Sequence, residues 1–338
     1  MKNIIRRYRF ILLSCVAITA ITFTLLSHGQ KNNKNKEFIT FIKGIRTEAI
    51  KLGVSEKTTD KYLTSLKAPR LKSVTHLKHQ PEQELTLSQY LGRLLPPSKI
   101  KTARLEFKKN HALLKIIAAK YHVQPQYIVA LWGIESDFGK NAGKFPLIQS
   151  LATLAFQHHR SPFYKYQLLM ALKILDKPLI SDKQTLSSWA GAMGQTQFMP
   201  DTYLHYAVDF NNDGVKDIWG NLPDILASIA NFLHQNGWSD KTPWGSEATL
   251  PKNFQSALAG TNNQLALATW LKLGVKPKKP YSQKIDPKKT KASVVIMREK
   301  GAPAYLVFNN FRVLLRWNQA NLEALAVGTL ADKIVENQ

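Results

Sequence analysis

Apolar residues recur at helical spacing through the first half of the chain, and this pattern constrains the fold more than any other feature of the sequence. An α-helix returns to the same face every three or four residues, so such a stripe marks the side that packs inward. The first stripe comprises Phe38, Phe41, Ile42, Ile45 and Ala49. Shorter helical segments follow around residues 62–66 and 90–95. A long helix is predicted from about residue 100 to 121, with inward positions at Leu105, Leu113, Leu114, Ile117 and Ala118.

The rest of the chain combines further helices with one region of different composition. Helices are predicted in SLATLAFQHH, FYKYQLLMALKIL and PDILASIANFLHQNGW, and in the closing segment QANLEALAVGTLADKI. Residues 239–303 instead contain six prolines, a lysine-rich stretch at 276–291 and the run SVVIM, which indicate loops with a few strands. AYLVF and FRVLLRW resemble the two strands of a hairpin that turns around Asn309 and Asn310. The expected fold class is α+β, mainly α.

The N-terminus has the features of a targeting segment. Residues 1–9 carry four basic side chains and no acidic one, and residues 10–26 form an uncharged run of 17. At about 1.5 Å per residue this run spans about 26 Å, so both a cleaved signal peptide and an uncleaved membrane anchor remain open. Cys15 in LLSC resembles a lipoprotein acylation box, but the apolar run continues for eleven residues beyond it, which disfavours lipidation. These features fit an exported bacterial protein.

Charge and cysteine content narrow the classes of partner and chemistry. Lys and Arg number 47 against 23 Asp and Glu, and the net charge of +24 attracts polyanions such as nucleic acid, anionic lipid or acidic cell-wall polymer. Export disfavours nucleic acid among these. Because no cysteine follows Cys15, disulfides, thiolate metal sites and thiol nucleophiles are excluded from the rest of the chain. No HExxH, GxSxG or Walker motif occurs, which disfavours the enzymes that carry them.

A single glutamate stands out in the segment IVALWGIESDFG, residues 128–139. On a helix, the stripe that carries Glu135 also carries the large apolar side chains of Ile128, Leu131 and Trp132. Apolar surroundings favour the protonated form of a carboxyl and raise its pKa, so that it can donate a proton near neutral pH. Cleavage of a glycosidic bond requires such a donor. The alternative is an exposed Glu135 at a helix end, paired with Lys140 or another base.

A second segment, SSWAGAMGQTQFMPDTY at residues 187–203, has the composition of a binding loop. Gly191 and Gly194 permit positive φ angles or close backbone approach. Gln195 and Gln197 supply amides that both donate and accept hydrogen bonds, as recognition of sugar hydroxyl and acetamido groups requires. An ordinary tight turn before a helix is the alternative.

A third segment, DFNNDGVKDIWGNLPD at residues 209–224, has the spacing of an EF-hand-like calcium loop. Oxygen donors stand at positions 1, 3, 5, 7 and 9 of such a loop, namely Asp209, Asn211, Asp213, the Val215 carbonyl and Asp217. Position 12 is Gly220, where a bidentate Glu is expected, and Asp224 is the nearest carboxylate able to substitute. A turn rich in Asn and Asp without a metal is the alternative.

In this order, the three segments resemble the lytic murein transglycosylase B family. LWGIESDFG resembles its catalytic helix, WAGAMGQTQFMP its active-site loop, and DFNNDGVKDIW with PDILASIANF its calcium loop and the following helix. HQPEQELTLSQYLGRLL resembles an upstream segment and FRVLLRWN the terminal strand and turn, so the similarity covers about residues 38–338. It implies a lysozyme-like transglycosylase core with an added N-terminal helical region and a small strand-containing insert.

The domain order that follows has five parts: a leader at 1–29, a linker and N-terminal helical region at 30–115, the lysozyme-like catalytic core with the EF-hand-like loop at 116–238, a small β/loop insert at 239–303, and a C-terminal hairpin and helix completing the core at 304–338. The family's activity is cleavage of the β-1,4 bond between N-acetylmuramic acid and N-acetylglucosamine in peptidoglycan, with 1,6-anhydro ends and no consumption of water. A water-using muramidase and a non-catalytic peptidoglycan-binding protein are the alternatives.

The resemblance also assigns roles to individual residues. Glu135 is the single general acid and base, and a second catalytic acid is not required because the substrate's acetamido group can assist. The implied substrate-binding residues are Ser188, Met193, Gln195, Gln197, Arg160 and Trp317. The implied ligands of a structural Ca²⁺ are Asp209, Asn211, Asp213, Val215, Asp217 and Asp224, and no organic cofactor is expected. Arg312 and Trp317 stand where the family is expected to have tyrosine.

The expected partners and location follow from the same resemblance. The protein should bind peptidoglycan glycan strands, and a membrane through its N-terminal segment if the leader is retained. It should not bind nucleic acid and should be a monomer. The expected location is the bacterial periplasm, with anchoring to the membrane left open.

Overall fold

The computed structural model describes residues 33–70, 85–157, 161–177, 185–281, 284–297, 299 and 301–336. The predicted leader, Arg160 and the start of the upstream family segment lie outside these residues. The described residues form two compact units. The first contains residues 33–70, 148–157 and 161–177, and the second contains the described residues of 75–147 and 181–338. The middle of the predicted core at 116–238 therefore groups with the N-terminal helices.

The described part of the chain is mostly α-helical, and most of its short strands lie in the last third. The helices are α1 (33–51), α2 (Glu56–Leu63), α3 (Leu87–Leu94), α4 (Pro97–Lys109), α5 (His111–Tyr121), α6 (Pro125–Ser136), α7 (Leu147–Gln157), α8 (Ser161–Leu175), α9 (Pro200–Tyr206), α10 (Leu222–Gln235), α11 (Leu267–Lys272), α12 (Asn309–Trp317) and α13 (Asn321–Val335). The strands are β1 (Phe145–Pro146), β2 (Leu186–Ser187), β3 (Gly245–Thr249), β4 (Leu265–Ala266), β5 (Lys276–Pro277), β6 (Lys291–Ile296) and β7 (Ala304–Val307). The predicted mainly helical α+β class is confirmed.

The first unit is built from α1, α2, α7 and α8. The predicted apolar face of α1 is buried, with Phe38 and Ala49 fully enclosed. Phe38 packs edge-on against Phe156 at a ring-centroid distance of 5.3 Å. Ser55 caps α2 by accepting a hydrogen bond from the Thr58 N–H, which satisfies one of the unpaired donors at the start of a helix.

The second unit is organised around α6. This helix packs against α13, α4, α10 and α5. Residues Ile128, Val129 and Ala130 are all fully buried, so three successive directions around the helix face protein. A helix that is apolar all round is a central helix, and any polar side chain on α6 therefore lies close to its packing neighbours.

The predicted long helix at 100–121 is two helices, which is a correction. α4 ends at Lys109 and α5 begins at His111, and the Asn110 amide donates to the Glu106 carbonyl at 2.9 Å. Such a side-chain bond competes with the helical backbone ladder. The break changes which face points inward. Leu105, predicted to face inward, is 58% exposed, whereas Leu114 is fully buried as predicted.

Five short strands form an antiparallel sheet in the order β4-β6-β7-β3-β5. Val294 of β6 stands opposite Leu306 of β7. One apolar cluster fills this region and comprises Ala248, Leu267, Trp270, Val275, Ala292, Val294, Leu306 and Phe308. The predicted strand character of 239–303 agrees with this sheet. Because β7 belongs to the same sheet, the sheet continues past the predicted boundary at residue 303.

The predicted hairpin of AYLVF and FRVLLRW is wrong in its second half. AYLV forms β7, but FRVLLRW lies in α12, which begins at Asn309. The side chain of Asn310 accepts from the Ser239 N–H and donates to the Ser239 and Thr242 carbonyls, which fixes the start of α12. Short apolar runs fit helical and strand periodicity equally well, and tertiary contacts decided this one.

A two-stranded ribbon stands near the predicted binding loop, where Phe145 of β1 pairs with Ser187 of β2. In the part of the chain that the structure describes, none of the helices combines the length and apolar content needed to cross a membrane.

Candidate active site

The C-terminal end of α6 presents Glu135. Pro125 stands in the first turn, where its missing N–H is no loss, and the helix ends at Ser136. Asp137, Phe138 and Gly139 then take positive φ angles of 50°, 58° and 86°. At Gly139, an added Cβ would lie 2.4 Å from the Gln195 side-chain oxygen. This position therefore requires glycine for both its backbone conformation and its close approach to the loop.

The carboxyl of Glu135 is held by Trp317. The indole N–H of Trp317, the last residue of α12, donates to Glu135 Oε1 at 2.6 Å. The Trp317 ring packs against Phe198 and Phe232, with ring centroids 5.1 Å and 4.8 Å away. Contacts with these two rings hold the indole and therefore the direction of its N–H donor.

Burial raises the pKa of Glu135 well above its ordinary value, and the nearby charge of Glu323 raises it further. The Trp317 hydrogen bond opposes these two effects, because it favours the ionised form. Glu135 is only half-buried, so part of its side chain remains reachable from solvent. The surroundings of Glu135 therefore favour the protonated carboxyl, which can present its proton to a bound molecule.

The basic residues near the end of α6 contact Asp137, not Glu135. Lys140 Nζ lies 3.4 Å from one Asp137 oxygen, and Lys99 Nζ lies 3.7 Å from the other. The alternative of a Glu135 paired with Lys140 therefore does not describe this structure. Glu135 and Asp137, two residues apart, occupy opposite electrostatic environments because the helix ends between them.

Gln195 links the predicted binding loop to α6 and to the backbone of Ile218 and Trp219. Its side-chain oxygen accepts from the Trp132 indole N–H at 2.8 Å, and its amide nitrogen donates to the Trp219 carbonyl at 2.8 Å. Its backbone N–H donates to the Ile218 carbonyl. These contacts make Gln195 a residue that positions the loop beside the helix of Glu135.

Two other predicted residues of this loop shape its backbone. Ser188 Oγ accepts from the N–H groups of Ala190 and Ala192, which closes the turn. Gln197 has a φ of 50° and its side chain donates to the Gly194 carbonyl at 2.7 Å. Both side chains are half-buried at the loop surface, and their roles as substrate contacts stay predictions.

The remaining predicted binding residues have different fates. Met193 is fully buried, so its side chain packs in the protein interior in this structure. Arg160 lies outside the described residues. Trp317 is brought directly onto Glu135. Arg312 instead donates to the Thr261 carbonyl and to Ser293, which ties α12 to the sheet region.

The acidic loop at 209–217 is ordered by its own side chains. Asp209 accepts from the N–H groups of Asp213 and Gly214, at 3.1 Å and 2.8 Å, and the Asn211 amide donates to Asp213 Oδ2 at 2.8 Å. Gly214 has a φ of 89°, as the sharp turn at position 6 requires. The oxygen donors predicted at positions 1, 3 and 5 are therefore gathered on one turn.

The other predicted calcium ligands serve the backbone of this loop and of α10. Asp217 accepts from the N–H groups of Trp219 and Gly220. Asp224 is fully buried, and its two oxygens accept from the N–H groups of Phe210 and Asp217. These contacts account for the burial of Asp224 without a metal.

Within the described ranges, no three His, Cys, Asp or Glu side chains group closely enough to hold a metal ion. Hydrogen bonds from Asn211 and the Val215 N–H lower the pKa of Asp213, so its carboxylate stays ionised. Burial raises the pKa of Asp224. The donor chemistry of Asp209, Asn211 and Asp213 fits a hard, oxygen-preferring cation, whereas Asp224 faces backbone donors.

Glu323, whose side chain is hydrogen-bonded to that of Glu135, is not among the site residues predicted from the sequence. It stands in the first turn of α13, where the segment was recognised only as a closing helix. A charged residue among the largely buried apolar residues of α13 was the available signal. The sequence also did not predict Phe198 and Phe232, which hold the Trp317 ring.

The transglycosylase SLT domain family model matches residues 37–332. The chain belongs to this family. It is 29% identical over 256 residues to the membrane-bound lytic murein transglycosylase B of Escherichia coli (strain K12). That alignment covers 73% of this chain and 66% of the relative, so the chain spans just under two thirds of the relative's length. The predicted transglycosylase family is confirmed.

Solved structures of this family share the fold. SltB3 from Pseudomonas aeruginosa, in complex with NAG-anhNAM-pentapeptide, superimposes with a TM-score of 0.82 at 37% identity, over 88% of this chain and 79% of that one. The E. coli lytic transglycosylase Slt35 in complex with calcium superimposes with a TM-score of 0.73 at 22% identity, over 90% of this chain and 94% of that one. The predicted lysozyme-like transglycosylase fold is confirmed.

Proposed function

We propose that this SLT-family protein is a peptidoglycan lytic transglycosylase that cleaves the β-1,4 bond between N-acetylmuramic acid and N-acetylglucosamine and leaves 1,6-anhydro ends. Glu135 is the general acid and base. The observation that carries the proposal is the Glu135 carboxyl, which the Trp317 N–H holds in place and whose protonated form is favoured by burial. Family membership and the peptidoglycan fragment bound to the relative SltB3 support the substrate class.

The proposed reaction needs one proton that leaves Glu135 and returns. Protonated Glu135 donates its proton to the glycosidic oxygen as the bond from that oxygen to C1 breaks. The resulting Glu135 carboxylate keeps its hydrogen bond from Trp317. It then accepts the proton of the muramoyl O6 hydroxyl as O6 bonds to C1. The acid is restored and no water is consumed.

The position of Glu323 favours this scheme over the water-using alternative. Hydrolytic glycosidases with two carboxyl groups hold them about 5–5.5 Å apart when retaining and about 6.5–9.5 Å apart when inverting, because sugar or water lies between them. Glu323 is instead hydrogen-bonded to Glu135. This contact leaves no room for a water or a sugar carbon between the pair, so Glu323 does not provide the second carboxylate of a muramidase.

Digestion of purified sacculi tests the proposal. The full-length protein should release fragments whose new ends are 1,6-anhydro sugars by mass spectrometry. Glu135→Gln should reduce release by about 10²–10⁴-fold, the usual contribution of general acid–base catalysis. Asp137→Asn is the matched control, two residues away and ion-paired, and should release fragments at the rate of the unmodified protein.

Each rival predicts a different result in this assay. Reducing ends in place of anhydro ends would identify a muramidase. Unchanged release by Glu135→Gln would remove Glu135 from the chemistry, and absence of release by the unmodified protein would identify a peptidoglycan-binding protein.

We also propose that Asp209, Asn211, Asp213 and the Val215 carbonyl bind Ca²⁺ in a structural role, with Asp217 and Asp224 as further candidate ligands. Oxygen donors at the first, third and fifth positions of a turn with glycine at the sixth support this proposal. A bound Ca²⁺ would stabilise the loop that supports Gln195 through the Ile218 and Trp219 carbonyls. It takes no part in the proton transfer.

The substrate places the proposed activity in the bacterial cell envelope, on its periplasmic side. The basic leader with its apolar run and the net charge of +24 support association with the anionic wall or membrane. The E. coli relative is a membrane-bound enzyme. Membrane attachment of this chain through its N-terminal segment is part of the proposal.

A further inference from the structure

A second carboxyl group shares the site of Glu135. Trp317 donates to Glu135, and the next residue, Asn318, donates to Glu323, so the end of α12 brings the two half-buried carboxyls within hydrogen-bonding reach of each other. An ionised carboxylate has no hydrogen to donate. A hydrogen bond between the two carboxyls therefore requires a proton on one of them, and repulsion between two adjacent negative charges favours that state. Carboxyl pairs of this kind titrate together because like charges at such short range cannot both ionise freely.

Local structure decides which of the two carboxyls carries the proton. Glu323 lies in the first turn of α13, where the positive end of the helix dipole stabilises a negative charge. The Asn318 side-chain amide also donates to Glu323 Oε2. Glu135 lies in the last turn of α6, where the dipole has the opposite sign. The charge therefore resides on Glu323 and the proton on Glu135.

Four other charged or titratable groups on the elements packed around the pair contact different partners. Lys99 of α4 contacts Asp137 at 3.7 Å, and Arg316 of α12 donates to a backbone carbonyl after α10. On α10, Asp224 faces the acidic loop and His234 packs against α5. The Trp317 N–H donates to Glu135 and favours its ionised form. The charge on Glu323 has the opposite effect and favours the protonated form of Glu135.

We propose that Glu323 is a positioning residue of the lytic reaction, whose carboxylate shares the proton of Glu135 and keeps the acid in its donating form until glycan arrives. This inference rests on the proposed function of Glu135. When Glu135 gives its proton to the glycosidic oxygen, Glu323 remains ionised, and two negative charges stand side by side. Their repulsion promotes return of a proton to Glu135 from the O6 hydroxyl, which completes the cycle with no net gain or loss of protons.

The pH dependence of kcat and KM on soluble peptidoglycan glycan strands tests this role. Glu323→Gln keeps the size and polarity of the side chain but removes its charge, so Glu135 should lose its proton at lower pH. We expect the alkaline limb of the kcat profile to move down by about one pH unit, which corresponds to about tenfold lower kcat on that limb. KM should stay within about twofold. Glu323→Asp, which restores the charge, should return the limb toward that of the unmodified enzyme.

Glu336→Gln is the matched control, because Glu336 follows the same helix and pairs with Lys279 and Lys333 at the surface. It should leave the profile in place. An unchanged alkaline limb in Glu323→Gln, with Glu135→Gln inactive, would overturn the role of Glu323 and leave the proposed function intact. Activity retained by Glu135→Gln would instead overturn the proposed function.

A titration followed by ¹³C NMR of labelled Glu side chains gives an answer that does not depend on turnover. In the unmodified protein the Glu135 and Glu323 carboxyls should titrate as a coupled pair with two steps. In Glu323→Gln the Glu135 carboxyl should titrate in one step at lower pH. Independent, unshifted titration of the two carboxyls in the unmodified protein would overturn the inference. If Glu323→Gln does not fold, the titration of the unmodified protein still decides the question.

Discussion

The end of α6 and the acidic loop at 209–217 use the same functional group for opposite purposes. At the end of α6, burial and a neighbouring carboxyl raise the pKa of Glu135. In the acidic loop, hydrogen bonds from Asn211 and a backbone N–H lower the pKa of Asp213. The first environment favours the protonated carboxyl, and the second favours the ionised carboxylate. The donors that surround a carboxyl, not its presence in the sequence, decide which role it takes.

After Glu135→Gln, the largest loss of activity at the end of α6 is expected from Trp317→Phe. This change keeps an aromatic ring against Phe198 and Phe232 but removes the N–H donor to Glu135. A hydrogen bond to a charged group contributes about 1.5–3 kcal/mol, so kcat should fall by about 10–100-fold because the Glu135 anion formed during the reaction loses its donor. The alkaline limb of the kcat profile should move to higher pH, since the lost bond favoured ionisation. Unchanged kcat would show that the indole only packs.

The thermal stability of Glu135→Gln tests the difference between the two carboxyl environments. The pKa of Glu135 in the folded protein lies above that of the unfolded chain, so the folded state binds more protons. Stability is therefore fully retained below the unfolded pKa and is lost as pH rises toward the folded pKa. Glu135→Gln removes this loss, so its melting temperature relative to that of the unmodified protein should be higher at pH 8 than at pH 4.

Asp332→Asn is a control for this stability experiment. Burial raises the pKa of Asp332 to about 6, and its carboxylate accepts from the Trp244 indole N–H. Its substitution should also raise the melting temperature above pH 6, because the same linkage applies, while the rate of sacculus digestion stays unchanged. A melting temperature of Glu135→Gln that does not depend on pH relative to the unmodified protein would contradict the buried-acid description.

Asp213→Asn tests the acidic loop. Calcium at millimolar concentration should raise the melting temperature of the unmodified protein by a few degrees, because a ligand that binds only the folded state stabilises it. Asp213→Asn should remove most of this rise, and magnesium should not reproduce it. Without calcium, Asp213→Asn should lose stability relative to the unmodified protein near neutral pH. This difference should vanish as pH falls through the folded pKa of Asp213, the opposite sign to Glu135.

Among these variants, Asp137→Asn should change the free energy of unfolding least. Its ion pairs with Lys99 and Lys140 are partly exposed, and such pairs contribute about 0–1 kcal/mol. Chemical denaturation should show a change within this range at low salt and less at high salt. A larger loss would mean that the positive φ turn after α6 depends on the Asp137 carboxylate.

Much of the site followed from local spacing. The apolar neighbours of Glu135, the glycine-rich loop and the turn at Gly214 are set by residues within a few positions of one another, and such patterns can be read directly. The hairpin predicted for FRVLLRW was wrong because its apolar residues fit both periods, and contacts with distant segments, such as those of Asn310 with Ser239, accompany the helix. Leu105 was misplaced because one asparagine interrupts the helix and changes its phase.

The sequence by itself determined the family, the mainly helical class and a carboxyl on an apolar helix face. The tertiary structure alone decided what touches that carboxyl. Trp317 and Glu323 come from helices that are remote in the chain, and the Trp317 donor is 182 residues from Glu135. The pKa of a side chain depends on distances and burial in three dimensions. Spacing along the sequence can therefore identify a candidate acid such as Glu135. Its hydrogen-bond donor and its charged neighbour are set by how α12 and α13 pack against α6, and these contacts determine whether the protonated form is favoured.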